Sequence, residues 1–183
     1  MRAALQVLAD EGLSGFTMEA VARRAGASKA TVYRHWSSRG ALLIDAMELG
    51  YQPLPRPATG QLRTDLIELL GGLEALLSSQ PFPRLTAAFI DGAERDAGLR
   101  DLHAELIERR REPVRQVLVL ARQRGEIPAS TDIDLVIDLL AGPLFCRRFV
   151  VHRAFPENYA STVVDLVLAA IGYTPGGPPE HTR

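Results

Sequence analysis

The sequence predicts an all-α protein with a short N-terminal helical domain and a longer C-terminal one. Apolar residues recur every three or four positions along most of its 183 residues, the spacing of one face of an α-helix. Glycine and serine residues divide the first fifty residues into short segments, and a proline-rich run follows them. No stretch shows a strand pattern or an internal repeat, and the length allows at most two compact units.

Residues 1–50 are expected to form four short helices, the first three of which make a helix-turn-helix domain. Small residues interrupt the apolar pattern between the helices. These residues are Gly12, Gly15, Gly26 and the pair Ser37 and Ser38. Alternate prolines from Pro53 to Pro57 cannot continue a helix, so 51–60 is predicted to be an extended connector.

The helical pattern resumes over 61–173, and residues 174–183 are expected to fray. Helices are predicted after Gly60, after Pro81, over 99–124, after the capping cluster Ser130, Thr131 and Asp132 up to Val151, and from Pro156 to Gly172. Pro113 is expected to kink or split the third of these, because it lacks a backbone donor.

Charge is distributed unevenly along the chain. The net charge of −1 gives no sign of a nucleic-acid partner for the molecule as a whole. From Leu13 to Ile44, however, five basic residues face one acidic residue, a local net charge of +4. The predicted helix-turn-helix is therefore the positive part of the protein.

A single cysteine, Cys146, excludes an internal disulfide, and its apolar surroundings predict a buried free thiol. The N-terminus lacks the apolar core of a signal peptide, and the longest apolar stretches carry charges such as Asp138 and Asp165. We therefore expect a cytoplasmic protein that does not enter the membrane.

Residues 17–36 carry the most specific pattern. Thr17 and Ser28 are placed to cap two successive helices, and Gly26 is placed to end the first. Ala22 and Val32 supply the small and the apolar side chain that two helices need where they cross at a tight turn. This spacing predicts a helix-turn-helix.

One run resembles the DNA-binding signature of the tetracycline-repressor (TetR) family. It reads Thr17-Met-Glu-Ala-Val-Ala-Arg-Arg-Ala-Gly-Ala-Ser-Lys-Ala-Thr-Val-Tyr-Arg-His-Trp36, followed by Ser38-Arg-Gly-Ala-Leu-Leu43. It departs from the family at Trp36, where phenylalanine is commoner, and at Arg39, where lysine is usual. Residues 63–171 are similar to a variable C-terminal domain of the same family. The resemblance implies a transcriptional repressor that binds a palindromic operator as a dimer and is released by a small molecule.

The second helix of the motif is expected to lie in the major groove, with its N-terminal residues nearest the base edges. Lysine, threonine and tyrosine there can contact bases and phosphates, and the flanking caps can hold the DNA backbone. The expected contacts to double-stranded operator DNA are Thr17, Ser28, Lys29, Thr31, Tyr33, Arg34, His35, Ser38 and Arg39.

The last two predicted helices are apolar on almost every face, so they must be covered on every face. A domain this small cannot cover both, and the remaining surface is expected to meet a partner. The TetR resemblance implies that these helices form a homodimer interface. The residues expected there are Val136, Leu140, Tyr159, Val163, Val167 and Ala170.

A small-molecule pocket is predicted between the middle helices, although ordinary core packing explains the same residues. The candidate lining residues are Phe82, Leu85, Phe89, Val117, Leu118, Ala121, Leu144 and Phe145. Three interpretations of Arg147 and Arg148 remain open. They bind an anionic ligand, they pair with acids at the dimer rim, or they extend along the surface so that their charged ends reach water.

Catalytic and metal-binding patterns are missing from the sequence. The four histidines lack a metal-ligand spacing, and no serine or cysteine lies in a recognisable nucleophile turn. We therefore expect neither an enzyme nor a bound cofactor. The alternative is a helical dimeric interaction module that binds no specific operator.

Overall fold

The computed structural model describes residues 1–50 and 59–176, with the side chains of 48–50 left out. Every regular element in these ranges is helical, which confirms the predicted fold class. The elements are α1 Arg2–Gly15, α2 Met18–Ala25, α3 Lys29–His35, α4 Arg39–Gly50, α5 Leu62–Ser78, α6 Phe82–Arg95, α7 Ala97–Gln123, α8 Ile133–Phe145, a π-helical turn Cys146–Val150, and α9 Tyr159–Ala170. Most of the predicted connector and the end of the predicted tail lie outside the described residues.

The first compact unit contains α1 to α4 together with α6 and the first part of α7, up to Arg109. Its core joins side chains from both parts of the chain. Phe16 and Leu42 are fully buried, and Leu85, Phe89 and Leu106 belong to the same cluster. Because α6 supplies part of this core, the unit does not coincide with the predicted 1–50 domain.

Helix α6 passes close to α1 at Gly92. A Cβ atom at this position would lie 2.8 Å from Leu13 Cδ1 and 3.2 Å from Leu99 Cδ1. The absent side chain therefore lets both leucines pack against the helix backbone.

The second compact unit contains α5, the remainder of α7, α8, the π-helical turn and α9. Helix α5 packs against α8 and α9. Arg63 on α5 donates to both carboxylate oxygens of Asp165 on α9, over 2.7 and 2.9 Å. This hydrogen-bonded pair lowers the pKa of the Asp165 carboxyl. Glu74 accepts a 3.0 Å bond from the Ala160 amide at the first turn of α9.

Ion pairs also join α7 to α8. Arg111 Nη1 lies 2.5 Å from Asp138 Oδ1, and Arg115 Nη1 lies 2.7 Å from Asp134 Oδ1. Hydrogen bonding from Arg115 lowers the pKa of the Asp134 carboxyl. The two arginines are one turn apart on α7, and the two aspartates are one turn apart on α8. The two ion pairs therefore lie side by side and fix the register of α7 against α8.

Two local expectations differ from the structure, and a third stays a prediction. Helix α7 runs through Pro113 without splitting, so the kink is the alternative that stays a prediction. The expected single helix from Ile133 to Val151 is α8 followed by the π-helical turn, in which the Val151 amide bonds to the Cys146 carbonyl. Cys146, at the first position of this turn, is exposed and not buried.

Candidate nucleic-acid interface

Side-chain caps define the α2–α3 pair, as the sequence predicts. Thr17 Oγ1 accepts a 3.0 Å bond from the Ala20 amide, and Ser28 Oγ accepts a 3.1 Å bond from the Thr31 amide. Gly26 ends α2 in the left-handed conformation with φ of 64°, which costs a glycine little. Both helices therefore begin at a side-chain cap, and α2 ends at a glycine that suits its left-handed turn.

The inner faces of the two helices are apolar. Ala22 and Val32 are buried, in agreement with the expected crossing point. Trp36 is only partly buried against the same cluster, and its indole N–H donates a 2.8 Å bond to Asp45 on α4. The tryptophan therefore ties the end of α3 to α4 through its ring and its polar edge.

The outer face of α3 is polar, basic and accessible. Lys29, Tyr33, Arg34 and His35 are all exposed, and Tyr33 keeps 50% of its surface open to solvent. Lys29 and Tyr33 are one turn apart and share a face. An exposed phenol beside a cation on a short, capped helix suits a groove lined with base edges and phosphates.

Lys29 is paired with Glu19 of α2, a partner that the sequence analysis did not identify. The ammonium lies 2.8 Å from Glu19 Oε1. Hydrogen bonding from Lys29 lowers the pKa of the Glu19 carboxyl, which is therefore ionised at neutral pH. This contact uses one of the three ammonium hydrogens, so Lys29 can contact DNA with the others or exchange the carboxylate for a phosphate or a base. The sequence held one clue to this pair: Glu19 is the only acidic residue between Leu13 and Ile44.

The capping hydroxyls already have partners within the protein. Ser28 Oγ and Thr31 Oγ1 are 2.9 Å apart, so one of their two hydrogens is used between them and one is left to donate. Ser38 Oγ accepts a 3.1 Å bond from the Ala41 amide. The Arg39 guanidinium donates to the Leu13 carbonyl, so this predicted DNA contact is held against α1.

Two family models match the chain. The model described as "Bacterial regulatory proteins, tetR family" matches residues 1–46. The model described as "Tetracyclin repressor-like, C-terminal domain" matches residues 56–167, which is more than half of the chain. The chain belongs to the TetR family. The predicted resemblance is therefore confirmed, and the protein is a DNA-binding transcriptional regulator and not an enzyme.

Relatives of this TetR-family chain are similar over almost its whole length. An uncharacterized HTH-type transcriptional regulator of Mycobacterium tuberculosis is 33% identical over 166 residues, which cover 90% of this chain and 81% of the relative. The DNA-binding transcriptional repressor TetR of Mycobacteroides abscessus is 33% identical over 172 residues, covering 92% and 89%. A crystal structure of a TetR family transcription regulator superposes with a TM-score of 0.73 at 30% identity, covering 92% and 94%.

Most residues expected at a dimer interface of this TetR-family protein are buried within the protomer itself. Val136, Leu140, Val163 and Val167 are buried against neighbouring helices of the second unit. Tyr159 is partly buried, with the Arg147 guanidinium carbon 5.1 Å from its ring centre. Of the six expected residues, only Ala170 is exposed.

Other leucines on the same two helices are exposed instead. Leu135 and Leu139 on α8 are 54% and 44% exposed, and Leu166 on α9 is 68% exposed. Leu135 and Leu139 are one turn apart, as are Leu166 and Ala170. We call these four residues the α8–α9 apolar face. Sequence periodicity could not separate this face from the buried one, since both faces of each helix are apolar.

The predicted pocket residues divide between the two compact units. Leu85 and Phe89 lie in the core of the first unit, and Phe82 is buried in its second chain segment. The remainder lie in the second unit. Val117, Leu118, Ala121 and Leu144 are buried there, and Phe145 is partly buried with its ring 5.8 Å from that of Phe149. Within either unit, the structure brings together only part of the predicted set.

Residues 1–50 and 59–176 contain no helix that is both long and apolar enough to cross a lipid bilayer. In the same part of the chain, no three His, Cys, Asp or Glu side chains are grouped so that they could hold a metal ion.

Replacing Glu19 by glutamine is expected to strengthen operator binding by about two- to fivefold, because it frees Lys29 and removes a negative charge beside the DNA phosphates. Fluorescence anisotropy with a labelled operator at constant salt measures the effect. The control is Glu94→Gln, which removes an exposed carboxylate on α6. Equal or weaker binding by the Glu19 variant would show that Lys29 does not exchange partners on DNA.

Proposed function

We propose that this chain binds a palindromic operator as a homodimer, represses transcription there, and is released by a small-molecule effector. The observation that carries the proposal is the exposed basic face of α3, held on a capped α2–α3 pair. Lys29 and Thr31 lie near the start of this helix, the end that approaches base edges in helix-turn-helix proteins, and Tyr33 lies one turn after Lys29 on the same face. Arg34 and His35 at its other end contact phosphates.

Dimerisation in this proposal uses the α8–α9 apolar face. Exposed leucines grouped on two adjacent helices are costly in water and are typical of an interface. A two-fold dimer also matches the two-fold symmetry of a palindromic site, in which each protomer occupies one half-site. A homodimer formed through this face therefore covers the exposed leucines and matches the symmetry of a palindromic operator.

Two observations support a repressor that a small molecule releases from its operator. The similar protein of Mycobacteroides abscessus is named as a DNA-binding transcriptional repressor. In addition, the second unit contains a cavity of about 350 Å³, a volume within the range of small-molecule sites. An effector weakens operator binding only to the extent that it prefers the DNA-free conformation.

Selection of bound sequences from random double-stranded DNA tests operator binding directly. A recovered palindrome supports the proposal, and footprinting of the native chain should show two protected half-sites. Retention of DNA without any preferred sequence, or no retention, would favour a helical interaction module instead.

Lys29→Ala and Tyr33→Ala are expected to weaken binding to the selected operator while leaving helical content unchanged. Loss of a base contact costs about 1 to 3 kcal/mol at one operator position, and loss of a phosphate contact flattens the salt slope by about one unit. Anisotropy titrations at several salt concentrations separate the two cases.

Matched controls are Tyr33→Phe, which keeps the ring, and Arg84→Ala, which removes an exposed cation on α6. Wild-type affinity and salt dependence in both Lys29→Ala and Tyr33→Ala would contradict the assignment of α3 as the recognition helix.

A further inference from the structure

A cavity of about 350 Å³ opens beside the end of α5 in the second unit. The π-helical turn and the residues that follow it form the opposite wall. Its lining includes the apolar side chains of Leu77 and Phe155, the basic residues Arg148, His152 and Arg153, and the carboxylate of Glu74. None of these residues is among the pocket-lining residues expected from the sequence, although an anionic ligand is one of the alternatives that the sequence leaves open for Arg148.

The charges on the cavity wall are unbalanced. Among the described residues, neither Arg148 nor Arg153 forms an ion pair with a carboxylate. Arg148 uses its Nε to donate a 3.0 Å bond to the Leu77 carbonyl, which leaves its two terminal nitrogens as donors. Glu74, the acidic lining residue, is already bound to the Ala160 amide. The wall therefore offers more positive than negative charge.

An uncommon backbone brings the basic residues to one wall. The Val151 amide bonds to the Cys146 carbonyl, and the Arg153 amide bonds to the Arg147 carbonyl. His152 has φ of 54°, a conformation that non-glycine residues adopt rarely. Wide turns and left-handed residues of this kind are frequent at functional sites. Here they turn the chain back so that residues 148, 152 and 153 line the same cavity.

We propose that this cavity binds a small organic anion, a carboxylate attached to an apolar body. Arg148 and Arg153 bind the carboxylate through charge-assisted hydrogen bonds. Leu77 and Phe155 contact the apolar body, and the cavity volume limits the ligand to a small molecule. The assignment of this anion as the effector rests on the proposed function, whereas binding itself does not.

The test compares carboxylates with their uncharged amides on the full-length protein without DNA. The probes are straight-chain carboxylates from butyrate to decanoate and 3-phenylpropionate, each beside its amide, measured by isothermal titration calorimetry. At least one acid is expected to bind about tenfold more tightly than its amide. Arg153→Gln is expected to reduce that acid's affinity by about tenfold and to leave the amide unaffected.

The control is Arg122→Gln, which removes a cation from the same unit but outside the cavity lining. Equal affinities for every acid and its amide, or equal effects of the two arginine variants, would overturn the anion site. The effector role is tested separately by measuring operator affinity in the presence of the acid that binds in calorimetry. An unchanged operator affinity would refute release by this anion, while the carboxylate preference in calorimetry would still establish the site.

Discussion

Leu166→Glu is expected to abolish the proposed homodimer while leaving the protomer folded. Leu166 is 68% exposed, so the glutamate is solvated in an isolated chain. In the dimer, each copy would lose a buried leucine worth about 1.5 to 3 kcal/mol and would gain a buried carboxylate. Two copies per interface give a loss of about 3 kcal/mol or more, at least two orders of magnitude in the dissociation constant.

Sedimentation velocity measures this change, and operator titration should show a parallel loss of affinity for the full palindrome. The control is Leu120→Glu on α7, since Leu120 is 52% exposed but lies outside the α8–α9 apolar face. If the Leu166 variant remains as dimeric as wild type, or if the wild-type chain is a monomer at micromolar concentration, the proposed interface is wrong.

Phe89→Ala is expected to unfold the DNA-binding unit. Phe89 is 1% exposed, belongs to the core cluster that includes α1 to α4, and has its ring 5.3 Å from that of His103. Truncating a buried phenylalanine costs about 3 to 5 kcal/mol, a large part of the stability of a small domain. Hydrogen exchange should show faster exchange of the α2 and α3 amides, although neither helix contains the substitution.

Phe145→Ala provides the matched control, because Phe145 is partly buried in the second unit. Its exchange changes are expected in α8 and nearby helices, with α2 and α3 unaffected. If Phe89→Ala weakened effector binding but left α2 and α3 protected, Phe89 would line a pocket, as first expected, instead of supporting the first unit.

Local features could be predicted from the sequence because their causes are local. The caps at Thr17, Ser28 and Asp132 depend on one hydroxyl or carboxylate and an amide three residues later. Gly26 has the conformation that its turn requires. The family signature then predicts that α3 is the recognition helix, since its polar pattern lies within one short run.

Long-range features could not be predicted in the same way. The periodicity of α6 shows that Leu85 and Phe89 share an inner face, but it does not show which helices cover that face. Likewise, Leu135 and Val136 are neighbours of similar hydrophobicity, yet only the packing of α8 against the other helices determines which of them is buried. The Lys29–Glu19 pair and the cavity beside Arg148 also depend on residues brought together from separate elements.

The sharing of one core between α1 to α4 and α6 to α7 affects how the protein is made. Residues 1–50 leave the ribosome before Leu106, which completes their core and follows 56 residues after Gly50. At a synthesis rate of about 5 to 20 residues per second, that delay is about 3 to 11 seconds. Throughout it the nascent helices expose apolar side chains that the finished protein buries, and exposed apolar surface of this kind favours aggregation until α7 emerges.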